Sequence, residues 1–164
     1  MKNVKWIFVV LLMCSLISFV DKSTPTSGLN VGDKAPNFTI KPIDGNRVIK
    51  LKYIDSKYIL LSFWAAYDAK SRMSNAELNY VINNSAFPVK MVSVSFDEYL
   101  SILNETIKED HINIKSCYVE TMGEKSDLYR TYRLYKGFNN YLLNDKGVII
   151  AKNISASDFW TYIK

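Results

Sequence analysis

Residues 59–72, ILLSFWAAYDAKSR, constrain the fold of this 164-residue chain more than any other stretch. From Tyr58 to Phe63 the sequence is a continuous apolar run broken only by Ser62, bounded by Lys57 before it and by Tyr67-Asp68 after it. A short run of this kind predicts a central strand buried on both faces, because a half-wet strand would alternate. The pattern then changes to a helical one over residues 69–83, with Met73, Ala76 and Tyr80 at helical spacing and Pro88 beyond the end. Asp68 suits the helix start: its carboxylate is expected to accept the amide hydrogen of residue 70 or 71 and to complement the helix dipole.

The same alternation continues downstream. Residues 89–96 predict a second strand, with Val92 and Val94 alternating against Ser93 and Ser95. Residues 98–110 predict a helix with Leu100, Leu103 and Ile107 on one face. A β-α-β order implies parallel pairing through a right-handed crossover. A short extended piece over 116–119, a helix over 126–134 and a hairpin of 140–143 with 148–151 about Asp145-Lys146-Gly147 follow. A last helix over 155–163 begins at Ser155 or Ser157 as cap. Upstream, Thr39-Ile40 and residues 47–51 flank Asp44-Gly45-Asn46, a hairpin turn in which Asp-Gly tolerates positive φ. No period of about 20 to 50 residues is visible, which excludes a repeat architecture.

Length and composition bound the domain count. A chain of 164 residues with 48% hydrophobic content supports one domain with its own core. At the N-terminus, Lys2 and Lys5 precede an apolar run over 6–20, and Asp21, Lys22 and a Ser/Thr/Pro/Gly-rich stretch end it. This is a secretory signal pattern over 1–20 followed by a linker over 21–30, leaving a folded domain over 31–164. The run is shorter than the roughly 20 residues of a comfortable span, so a cleaved signal is favoured over a permanent anchor. Cys14, in Leu11-Leu12-Met13-Cys14, offers a lipoprotein-like alternative that would tether the chain to a membrane. Loss of Lys2 and Lys5 with the signal would leave 19 basic against 16 acidic residues, too mild and dispersed a balance for nucleic-acid binding.

Reactive groups are sparse. Cys117 is the one cysteine outside the signal region, so no disulfide can close within the domain. With one histidine, His111, and no cysteine cluster, no zinc or iron ligand set exists, and no calcium or magnesium loop is present. No metal and no cofactor are expected. His111 reads as a solvated helix-end residue. Lys70 and Ser71 are neighbours on a helix and point about 100° apart, which excludes a paired base and nucleophile.

Four segments together resemble the thioredoxin-like superfamily, specifically its envelope thiol-disulfide oxidoreductases and the redoxin domains of the alkyl hydroperoxide reductase and thiol-specific antioxidant type. They are VGDKAPNF over 31–38, FWAAYDAKSR over 63–72, VSVSFDE over 92–98 and residues 132–147. The resemblance covers the chain from about Val31 onward and implies an α/β three-layer sandwich, a central mixed β-sheet with helices on both faces. It matches Phe63, Trp64, Ala65 and Arg72 to the family's active-site segment. The two cysteine positions of that segment fall on Asp68 and Ser71, and the family's cis-proline position falls on Phe138. A cis bond before a non-proline residue costs about 3 kcal/mol, so Phe138 is expected to be trans and its loop reshaped.

The resemblance therefore implies an exported thioredoxin-like protein of the bacterial envelope, periplasmic or membrane-attached, that has lost its Cys-x-x-Cys pair. The expected role is a non-redox binding or scaffold module for an envelope protein or peptide, with Trp64, Tyr67, Asp68 and Phe138 as the contact surface. Tyr135 and Tyr141 are expected near them. The alternative is a divergent redoxin or peroxidase serving cell redox homeostasis through Cys117, which requires that thiol to be exposed with a depressed pKa.

Overall fold

A computed structural model describes residues 24–43, 45 and 48–163. The signal, Lys2, Lys5 and Cys14 lie outside the described residues, as do Asp44 and Asn46 of the first turn. The strands are β1 (Thr39–Pro42), β2 (Ile49–Lys50), β3 (Tyr58–Trp64), β4 (Val89–Ser95), β5 (Cys117–Val119), β6 (Asn140–Asn144) and β7 (Ile149–Lys152). The helices are α1 (Ala69–Asn83), α2 (Leu100–Glu109), α3 (Asp127–Thr131) and α4 (Phe159–Tyr162).

The strands form one mixed sheet in the order β2-β1-β5-β4-β3-β6-β7. Strand β3 lies inside it, parallel to β4 on one side and antiparallel to β6 on the other. That placement explains its lack of alternation: both faces are covered, so both faces are apolar. Ile59, Leu61 and Phe63 point to one face, where they join Leu128, Tyr129 and Tyr132 at α3. Leu60 points to the other, against Leu78 of α1 and Phe159 of α4, and Trp64 meets Leu103 and Ile107 of α2 on that same face. This is the expected α/β sandwich, with helices on both faces of a mixed sheet.

Several local expectations are corrected. On α1 the buried side is Ser71, Asn75, Leu78 and Asn79, whereas Met73 and Tyr80 are 61% and 70% exposed. The reason is what lies beneath: Ser93 of β4 donates to Asn75 Oδ1 at 2.8 Å, and Asn79 meets Asn113 N and Ser116 Oγ at 3.0 Å each, so hydrogen-bonding side chains fit where apolar ones were expected. On α2, Leu103 and Ile107 are buried, but Leu100 is exposed and Thr106 takes the remaining inward position. The helix expected over 126–134 ends at Thr131, because Arg133 adopts a left-handed conformation at φ 54°. Residues 156–158 form a turn instead of the first part of a helix, so the last helix is the single turn α4.

The ordered contacts of the domain also begin before Val31. Lys34 N donates to Thr26 O at 2.8 Å, Gly28 N donates to Lys34 O at 3.1 Å, and Leu29 packs against the main core. Part of the stretch expected as a linker is thus folded onto the domain. The hairpin expectations hold: β1 pairs with β2, and β6 with β7. Gly147, at φ 73°, supplies the left-handed residue that the second turn requires.

Candidate functional site

The joint where β3 feeds α1 is built by local hydrogen bonds before any long-range contact. Asp68 is the N-cap, and its Oδ1 accepts the amide hydrogen of Ser71 at 2.8 Å. Ser71 Oγ donates to Asp68 O at 3.2 Å and accepts from Ala65 N at 3.4 Å. Both positions therefore hold side chains already engaged in closing the helix start. Asp68→Ala is expected to lower the unfolding free energy by about 0.5–2 kcal/mol without loss of the fold, read by urea unfolding. An unchanged midpoint at equal slope would rule out a capping role.

Two further residues tie the joint to the rest of the molecule. The Arg72 guanidinium grips Asp110 through Nε at 2.7 Å and a second nitrogen at 2.8 Å, and reaches Glu109 at 2.9 Å. Those hydrogen bonds raise its pKa further above the ordinary arginine value. The second residue is Asp97, which sequence reasoning passed over. Its carboxylate, 4% exposed, accepts Ala66 N on both oxygens at 3.0 Å and the Ser95 hydroxyl at 2.7 Å. Ser95 Oγ in turn accepts Asp97 N at 3.0 Å. The available signal was a Ser-Phe-Asp ending to a buried strand, with a carboxylate set where the chain must turn.

The proposed contact residues divide. Trp64 is fully buried, and its Nε1 donates to Ser93 Oγ at 2.8 Å, which donates to Asn75 Oδ1 at 2.8 Å. It has no surface to offer a partner and is corrected to a core residue. Tyr141 is likewise buried, beside Phe63 and Tyr132. Tyr67 and Phe138 do meet, with ring centroids 6.3 Å apart, and Phe138 packs on Phe96 at 5.8 Å and Tyr129 at 6.4 Å. Among the described residues there is no cis peptide bond, and Gly137 at φ 111° redirects the chain just before Phe138. Phe138 thus lays an aromatic ring over the joint. The Tyr67 phenol is held above its ordinary pKa by partial burial first, then by Tyr129 and the carboxylates of Asp97, Glu124 and Asp68.

Cys117 opens β5 and is 1% exposed, packed with Trp64, Leu103, Ile107 and Ile112, and its Sγ donates to Asn113 O at 3.4 Å. His111 is exposed just past the end of α2. Among the described residues no three His, Cys, Asp or Glu side chains gather to hold a metal ion.

A thioredoxin-like protein from Parabacteroides distasonis shares 40% sequence identity with this chain over 84% of it and 97% of the relative, at a TM-score of 0.72. The chain belongs to the thioredoxin-like family. The thioredoxin domain of a thiol-disulfide oxidoreductase from Bacteroides vulgatus matches at 25% identity and TM-score 0.68, over 82% of this chain and 95% of that one. A thiol:disulfide interchange protein from Bacteroides sp. matches at 26% and 0.66, over 81% and 87%. No protein-family model and no curated protein sequence matches. The fold of this thioredoxin-like chain is therefore that of bacterial thiol-disulfide oxidoreductases. No helix among the described residues is long and apolar enough to cross a membrane.

Proposed function

We propose that this chain is a thioredoxin-fold binding module of the bacterial envelope, exported and without dithiol-disulfide exchange. The observation that carries the reading is the chemistry at the β3–α1 joint. Disulfide exchange needs a thiolate at an accessible helix start, and here that start holds Asp68 and Ser71 bonded to one another's backbone. The described thiol, Cys117, is buried under α2 and lacks the exposure that a redox role would require. What the joint presents to solvent is aromatic: Tyr67, 69% exposed, leaning on Phe138. Export is supported by the apolar run over 6–20 and by the envelope proteins that the sequence resembles.

The test is a thiol assay on the full chain carrying Cys14→Ser, so that Cys117 is its one thiol. The protein is expected to show no reduction of an insulin disulfide above background. Its thiol is expected to react with an aromatic disulfide reagent only on the timescale of unfolding. Reductase or peroxidase activity that disappears on Cys117→Ser would overturn the reading in favour of a divergent redoxin.

A further inference from the structure

Beside Tyr67, a cleft of about 450 Å³ opens between the β3–α1 turn, the loop after β4 and the segment around Gly123. Its floor is Phe96, its walls include Ile102 and the rings of Tyr67 and Tyr99, and Glu98 and Glu124 stand at it. Tyr99 is 67% exposed, so both tyrosines are accessible from solvent. We propose that this cleft takes a cationic side chain, lysine or arginine, carried on a segment of a partner protein. The inference rests on the binding-module reading above and names its ligand chemistry.

Charge complementarity selects that occupant. The one basic residue lining the cleft is Arg72, and its guanidinium is already committed to Asp110 and Glu109, two carboxylates for one cation. An anionic ligand would therefore find no uncommitted counter-charge and would face Glu98, Glu124 and the buried Asp97. A cation finds the opposite: Glu98 and Glu124 in the lining and two accessible tyrosine rings, whose quadrupole attracts an ammonium or guanidinium. The apolar floor and Ile102 suit the methylene stem that either long basic side chain carries behind its charge. In keeping with this arrangement, the Tyr67 phenol is held above its ordinary pKa first by its own partial burial, then by Tyr129 and by the carboxylates of Asp97, Glu124 and Asp68.

The position is also distinct from the groove on the other side of the joint. That second cleft, about 340 Å³, is lined by Lys70, Ser71, Ser74, Phe138, Asn139 and Asn153 among others, and presents no comparable pair of exposed aromatic faces with carboxylates. Glu98 and Gly123 are in close register, since a Cβ added at Gly123 would lie 3.4 Å from Glu98 Oε1. Gly123 itself sits at φ 54°.

The experiment is a titration of the isotope-labelled full chain with a capped peptide of alternating glycine and arginine. A second peptide with citrulline in place of arginine keeps the shape and removes the charge. The arginine peptide is expected to shift the amides of Tyr67, Tyr99, Gly123 and Glu124, and the citrulline peptide to leave them in place. The Glu98→Gln/Glu124→Gln variant is expected to weaken the arginine peptide by at least about fivefold, and about 0.5 M salt to weaken it in the wild type. Tyr99→Ala, which leaves both carboxylates, is expected to weaken it as well.

Equal binding of the citrulline peptide, shifts mapping elsewhere, insensitivity to the charge variant or no shift at all would each overturn the assignment. So would concentration-dependent shifts of these amides without peptide, which would make a second copy of the chain the occupant. None of these outcomes bears on the thiol assay, which alone decides the non-redox reading.

Discussion

Replacing Phe63 by alanine is expected to lower the free energy of unfolding by about 3–5 kcal/mol. Phe63 is 2% exposed and stands where four other rings converge: Tyr132 at 4.6 Å, Phe96 at 6.1 Å, Tyr141 at 6.2 Å and Phe38 at 6.3 Å. These belong to the loop before β1, the residue just after β4, the segment after α3 and β6, so one side chain links four parts of the chain. Truncation removes the transfer free energy of the ring and leaves a cavity that rigid aromatic neighbours cannot collapse into. Edge and tilted ring contacts add roughly 0.5–1.5 kcal/mol per pair beyond the buried area. Urea unfolding of Phe63→Ala beside Phe63→Leu checks this, because leucine restores much of the volume without the ring. A loss below about 1 kcal/mol for the alanine variant would show that the cluster is loosely packed.

Asp97→Ala is the second large effect, expected at about 2–4 kcal/mol, and it reaches the candidate site. The carboxylate is the common acceptor for Ala66 N–H and the Ser95 hydroxyl, and both would be left with no acceptor in a largely dry setting. Ala66 is also the residue before Tyr67, so the same substitution frees the turn that presents the exposed ring. Hydrogen exchange should separate the local from the global effect. The Ala66 amide is expected to exchange faster by at least about tenfold beyond the change in global stability. Asp97→Asn, which keeps one acceptor oxygen, is expected to lie between the two proteins. An Ala66 amide that exchanges no faster than the global change requires would exclude Asp97 as the anchor of the turn.

These two residues differ in how visible they were beforehand. Phe63 sits in an apolar run whose length and lack of alternation already called for a strand covered on both faces, and β3 is that strand. Asp68 was equally legible, since a helix start needs an acceptor for its unpaired amide hydrogens and Asp is among the residues that supply one within three positions. Asp97 was not. Its main partner, Ala66, is 31 residues away and carries no side-chain signal, so the Ser-Phe-Asp strand ending is the one local mark and does not by itself say what the carboxylate binds.

The inner face of α1 shows the same division more sharply. Met73 and Tyr80 have the spacing of a core stripe and lie in solvent, whereas Asn75 and Asn79 are buried. Asn79 accepts from Asn113 N at 3.0 Å and Asn83 Nδ2 at 2.6 Å and donates to Ser116 Oγ at 3.0 Å, a network closed by residues more than thirty positions away. A burial preference read residue by residue assigns asparagine to water, because outside a satisfied network it belongs there.

By itself the sequence determined the strand-to-helix joint, the two hairpins and the parallel β-α-β core, because each rests on periodicity, turn chemistry or capping within a few residues. The tertiary structure alone decided that Trp64 is core while Tyr67 remains exposed, that Cys117 lies under α2, and that Tyr67, Tyr99, Glu98 and Glu124 share one cleft. Those outcomes depend on which faces the sheet order covers and which distant loops it brings together. Burial and electrostatic potential are sums over neighbours in space, and a chain read in one dimension does not contain them until it is folded.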